Sequence, residues 1–187
     1  MNDIPSSSKV AFGKRMMGKM ARSRWVNGLM EKSPRFSRFY DRLHVKMSRE
    51  WSGDIPWTPL NKPVSESRVA LVSTGGVILK SHTPFDLNDA AGDCSYRIIP
   101  ANSTPEEIVI SHLFYDHSDA KMDLEVMFPL ATLHRLQQEE TIGSVAPRHV
   151  SFQGGISDPK RLVNETAPEA AGILVNDQVD LAILTPG

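Results

Sequence analysis

Two histidines and two aspartates fall within eight positions of one stretch, SHLFYDHSDA (Ser111–Ala120). Imidazoles and carboxylates at that density suit acid–base and hydrogen-bond work on an amino-acid-like substrate, with Asp116 or Asp119 fixing the tautomer of His112 or His117. Tyr115 stands among them as a further polar group. The same composition also makes a polar loop whose side chains bond their own backbone. A second stretch, APRHVSFQGG (Ala146–Gly155), sets Arg148 and His149 before a Gly pair. An Arg there can clamp a carboxylate through two parallel hydrogen bonds, or pair with a nearby Asp. A third, STGGV, offers Ser73, Thr74, Gly75 and Gly76 for close backbone approach to a ligand carboxylate, or for a tight turn alone. It has neither G-x-G-x-x-G nor G-x-x-x-x-G-K-[ST], so nucleotide binding has little support. Cys94 has no Cys-x-x-Cys partner and is expected to be unreactive. No G-x-S-x-G elbow supports a serine nucleophile.

These residues need a scaffold, and the pattern after residue 67 supplies one. RVALVSTGG (68–76), YRIIP, EEIVISHLFYDHSD, IGSVAPRHVSFQGG and VDLAILTPG each carry a short apolar run that predicts a strand. PLATLHRLQQEE predicts a helix with Leu130, Leu133 and Leu136 inward, and DPKRLVNETAPEAAGILVNDQ a helix broken before Pro168. Strands alternating with helices predict an α/β fold with a mostly parallel, doubly wound sheet. Sites in such sheets lie beyond the carboxyl ends of the strands, which selects Ser73–Gly76, His112–Asp119, Arg148–Gly155 and Thr185–Gly187.

The amino-terminal third is different. Residues 1–9 are polar and Ser-rich, residues 10–31 mix Met16, Met17, Met20, Trp25 and Met30 with basic residues, and Ser33–Pro34 can open a helix. Phe36, Phe39, Tyr40, Leu43, Met47 and Trp51 then recur at helical spacing, a stripe suited to packing, with His44 at its edge. DIPWTPLNKP (54–63), with three prolines, cannot be helix. The expected organisation is a basic helical extension over 1–53, a Pro-rich linker over 54–67 and an α/β domain over 68–187. The net charge of −1 conceals an imbalance: residues 1–50 hold 12 Lys/Arg against 4 Asp/Glu, residues 51–187 hold 9 against 18. That fits a basic helix packed on an acidic domain, an arm for an acidic partner or membrane surface, or an Arg-rich transit segment. One cysteine excludes an internal disulfide and favours a reducing, cytoplasmic setting. No apolar run reaches the roughly 18 residues of a membrane span, and nucleic-acid binding would rest on the basic segment alone.

Two resemblances follow from these stretches. His112, Asp116 and His117 match three positions of the T-H-x-H-x-D-H motif of metallo-β-lactamase-type hydrolases, but Phe114 occupies the place of the middle histidine, and no metal is expected. RVALVSTGGVILKSHTPFD, GDCSYRIIP, SHLFYDHSDA, VMFPLATLHRLQQEETIGSVAPRHVSFQGGI and VDLAILTPG, in that order, resemble the selenoprotein B subunit of the glycine/sarcosine/betaine reductases and D-proline reductase, most closely the short proline-reductase-like form. The resemblance covers about residues 54–187. It implies an oxidoreductase that reductively cleaves a C–N bond of an amino-acid-like substrate, and an oligomeric assembly. It implies a redox residue, selenocysteine or cysteine, directly after Gly187, where a UGA codon read as stop would end the chain; a genuine stop and a non-catalytic binding module are the alternative. It further implies a pyruvoyl group on a partner subunit and a thioredoxin-like or dithiol reductant. On that reading His112, Tyr115, Asp116, His117 and Asp119 surround the reacting carbon, and Arg148 with His149 orient the carboxylate.

Overall fold

The computed structural model describes residues 58–113, 115 and 117–186, together with residues 32–35 and 38. The expected helix within 10–31, all of the one over 33–51 beyond residues 33–35 and 38, the positions of Phe114 and Asp116, and Gly187 therefore lie outside the described residues.

The apolar run RVALVS forms β1 (Arg68–Ser73), and Val69, Ala70 and Leu71 are fully buried. Strands covered on both faces read as continuous apolar runs rather than alternating ones, and β1 is central. On one side it pairs in parallel with β7 (Leu181–Thr185), from Val69↔Leu181 to Ser73↔Thr185. On the other it pairs in parallel first with β5 (Ser144–Val145) and then with β6 (Arg148–Phe152). β3 (Tyr96–Pro100) closes that side, antiparallel to β6. β2 (Val77–Leu79) and β4 (Ile108–Ile110) form a separate antiparallel pair. The architecture is mixed α/β with a mostly parallel sheet.

Three helices follow in chain order: α1 (Ser118–Met122), α2 (Leu130–Gln138) and α3 (Ala167–Asn176). The side chains of β1 alternate, and the helices follow that alternation. Val69 and Leu71 face a cluster with Leu130, Leu133 and Leu136 of α2 and with Phe128 and Ile142. Val72, with Val150, Phe152, Tyr96 and Ile98, faces Ala170 and Leu174 of α3. Fully burying one such Leu or Phe contributes roughly 2 kcal/mol.

Two local features depart from the expected elements. The helix leading to α3 is not broken before Pro168. A π-helical turn over Leu162–Thr166 runs directly into it, and Pro168 falls in the first turn of α3, where its lack of an N–H donor is tolerated. The segment expected as a strand and loop over 142–155 holds two strands, separated by Ala146–Pro147. Ala146 N–H still bonds Val69 O at 2.9 Å, but Pro147 shifts the ladder, and the Leu71 N–H instead meets Nδ1 of the His149 ring at 3.0 Å. The imidazole takes the place of a ladder acceptor. At the amino ends of the strands, Asp180 accepts from Arg68 N–H at 2.7 Å and pairs with Lys62 Nζ at 2.7 Å, which fixes where residues 58–67 enter the sheet.

Candidate functional site

The turn after β1 is the hub of the carboxyl edge. Ser73 Oγ accepts the Gly75 N–H at 3.1 Å. Thr74 N–H donates to Thr185 O at the end of β7, Gly76 N–H to Phe152 O at the end of β6, and Gly76 O accepts Ser111 N–H, at 2.9, 2.9 and 2.7 Å. Four residues thus bind two strand ends and the His-rich segment together. Glycine is required by geometry: Gly76 has φ +69°, and a Cβ there would lie 2.4 Å from Ser111 O. At Gly75 a Cβ would sit 2.3 Å from Met127 Sδ.

The His-rich segment folds over this turn. The Tyr115 hydroxyl donates to Gly75 O at 2.8 Å. Its ring lies between the two imidazoles, with centroids 4.7 Å from His112 and 4.5 Å from His117; the imidazoles are 6.4 Å apart. His112 is 3% exposed and His117 is also buried. Its Nε2 reaches over the Gly154 Cα, since a Cβ at Gly154 would meet that nitrogen at 3.1 Å and Thr74 O at 3.0 Å. Gly154 leaves the imidazole room to sit between the ends of β1 and β6. Burial, and secondarily the neighbouring His117, lowers the His112 pKa to about 4. At neutral pH the ring is uncharged, with one N–H and one lone pair. Burial pushes the Tyr115 phenol up to about 12, so it remains a donor.

Other residues of the expected site are placed differently. Asp119 is exposed on α1. Arg148 begins β6 at its amino end, about 20 Å of extended chain from Gly154. There its guanidinium makes two hydrogen bonds to Asp177, at 2.8 and 2.6 Å, and so fastens the end of α3 to the start of β6. Arg148 therefore stands in an ion pair at the opposite end of β6 from Gly154, and strand direction is the reason. His149 is 0% exposed; its ring faces Phe128 (centroids 5.9 Å, 85°) and completes the backbone ladder. Burial lowers its pKa to about 4. Neither residue joins the cluster around His112. Cys94 is buried, with its thiol near Gly92 O and Asp158 O.

Within the strand-end segments already selected, the structure singles out residues not named individually from the sequence. Ser151 and Thr185 pair with Ser73 from the two sides, so the three hydroxyls form one row across β6, β1 and β7 on the face that carries α2. Among the described residues, Ser151 Oγ and Thr185 Oγ1 are buried with no hydrogen-bond partner. Gln153, which bridges to Gly75, accepts the Gly155 N–H at 3.1 Å and shapes the glycine pair. A Ser, Gln or Thr at the last position of a predicted parallel strand was the available signal. Among the described residues, no three His, Cys, Asp or Glu side chains converge as metal ligands. Nor is any helix among them long and apolar enough to cross a membrane.

Comparison with known proteins accords with this picture. The chain is 38% identical over 131 residues to the D-proline reductase subunit gamma of Acetoanaerobium sticklandii, an alignment covering 70% of this chain and 53% of that protein. The chain thus spans about half the length of this curated relative. No solved structure matches it. Residues 16–187 match the family of the glycine/sarcosine/betaine reductase selenoprotein B. With the matched region running through the whole parallel sheet and the His112–Tyr115–His117 cluster, the chain belongs to the glycine/sarcosine/betaine reductase selenoprotein B family.

Proposed function

We propose that this chain forms the substrate-facing part of a selenol- or thiol-dependent reductase that cleaves the C–N bond of an amino-acid-like substrate. One observation carries the reading. An uncharged, buried His112 sits over Gly154 at the carboxyl edge of the parallel strands, one strand from Thr74, to which the end of β7 is hydrogen-bonded. Ligands of open α/β sheets bind at that edge, and the family is one of reductases.

In the proposed reaction a selenolate or thiolate attacks the carbon bearing nitrogen, the new C–Se or C–S bond forms, and the C–N bond breaks with its electron pair leaving on the amine. A dithiol then supplies two electrons and a proton to release the reduced product. The pyruvoyl group on a partner subunit would hold the substrate amine. This chain's own residues orient and exclude water. His112 accepts or donates one proton at its ring nitrogen without carrying charge at rest. Tyr115 keeps the imidazoles in place through Gly75. The hydroxyls of Ser73, Ser151 and Thr185 line the floor under the cluster. His117 shares this cluster, and the family resemblance assigns Asp116 and Asp119 to the same substrate pocket.

The test is a steady-state assay of the intact assembly containing this chain, with D-proline, glycine, sarcosine and betaine as substrates and a dithiol as reductant. His112→Ala is expected to lower kcat at least 100-fold, the usual weight of a positioned acid–base group, while the folded content stays intact. Undiminished kcat in that variant, or no turnover of any of the four substrates by the wild-type assembly, rejects the reading.

A further inference from the structure

Helix α3 is apolar on both of its sides. Ala170 and Leu174 point to the sheet. Pro168, Ala171, Gly172 and Val175, at spacings of 3, 1 and 3, form a second stripe that is exposed along its length, with Val175 73% exposed. A Cβ added at Gly172 would meet nothing within 4 Å. The edge strand β7 turns Leu184 to the sheet face that also carries α3, since it pairs with Val72 of the α3 cluster, and leaves it 74% exposed. A helix with a second, solvent-exposed apolar stripe opposite its packed face presents a surface suited to contact.

We propose that this face is the docking surface of the chain's own segment 36–51, through the stripe of Phe36, Phe39, Tyr40, Leu43, Met47 and Trp51. Three observations select this occupant. The chain enters beside the surface: Lys62 is held at 2.7 Å from Asp180, one residue before β7, and the ten residues between Trp51 and Lys62 reach at most about 35 Å against an α3 length of about 15 Å. The shapes match, because a face of Pro, Ala, Gly and Val is shallow and accepts large aromatic side chains. The charges match as well. The segment carries Arg38, Arg42, Lys46 and Arg49 against Asp41 and Glu50, whereas α3 bears the exposed Glu169 beside the stripe, with Glu165, paired to Arg161, in the turn before it.

The chain provides its own probe. Of its three tryptophans, Trp25, Trp51 and Trp57, only Trp51 lies in the segment, so with Trp25→Phe and Trp57→Phe as the background chain the tryptophan emission reports on this segment alone. In the full chain, Ala171→Glu with Val175→Glu is expected to shift the emission to the red while far-UV circular dichroism is unchanged. Met122→Glu, at a position 80% exposed on α1, is expected to leave the emission alone. Should the double variant lose its dichroism, Val175→Glu alone, at a position 73% exposed on α3, carries the same test. Emission that is identical in the wild type and the variants overturns the proposal. So does wild-type emission already equal to that of the urea-unfolded chain. A wild-type spectrum that shifts red on dilution assigns the face to a second copy of the chain, and overturns it too.

Discussion

Replacing His149 by Asn separates the structural role of this imidazole from any role in the site. Nδ1 of His149 accepts the Leu71 N–H at 3.0 Å, and the ring is fully buried. Asn can present an oxygen to the same N–H, so the ladder is preserved and only the titration is removed. Burial holds the His149 pKa at about 4, below its ordinary 6.5. Between those two values the unfolded chain binds more protons than the folded one, so stability falls as the pH drops through 6.5 towards 4. From pH 7 to pH 5 the loss is about 2 kcal/mol for this ring, and about as much again for His112, whose pKa is displaced equally. Asp93, Asp177 and Asp180 have lowered pKa values, so their contributions are lost below that interval. Urea denaturation at pH 7 and pH 5 measures the difference. The wild type is expected to lose about 4 kcal/mol over the interval and His149→Asn about 2 kcal/mol. His149→Leu, which leaves the Leu71 N–H without an acceptor, is expected to cost about 1–3 kcal/mol at pH 7. If His149→Asn keeps the full wild-type dependence on pH, the ring is not buried uncharged, and its structural assignment fails.

Two further substitutions test the turn that assembles the site. Gly76→Ala forces a Cβ into a left-handed residue and against Ser111 O, and is expected to lower stability by about 3 kcal/mol, read from the urea midpoint; a change below about 0.5 kcal/mol would show that the turn relaxes freely. Tyr115→Phe keeps the ring between His112 and His117 but removes the bond to Gly75 O, so about 1 kcal/mol is expected to be lost, with faster amide exchange confined to residues 111–117. Exchange that stays at the wild-type rate would mean the hydroxyl does not hold the loop.

The apolar run RVALVS and the Leu130–Leu133–Leu136 spacing made a strand and a helix legible before any coordinates, because burial on both faces of a sheet or one side of a helix writes itself into composition and period; the similar run LAIL of VDLAILT also marked a strand, though β7 leaves Leu184 exposed at the sheet edge. The density of titratable groups in 111–120 was equally legible, as was a Gly turn after the first strand. Local pattern alone left open which end of β6 faces the site, and so whether Arg148 was a clamp or an ion pair. It also left open that Pro147 breaks a ladder and sends a neighbouring N–H to His149, and that a π-turn carries the helix through Pro168. Those outcomes depend on strand direction and register, which are set by contacts between residues far apart in the chain. Residue type and period fix which groups are present and which side of an element they occupy. Only the packing of β1 between β6 and β7 decides that His112, Gly154, Thr74 and Thr185 come together, since no short stretch of the chain contains more than two of them.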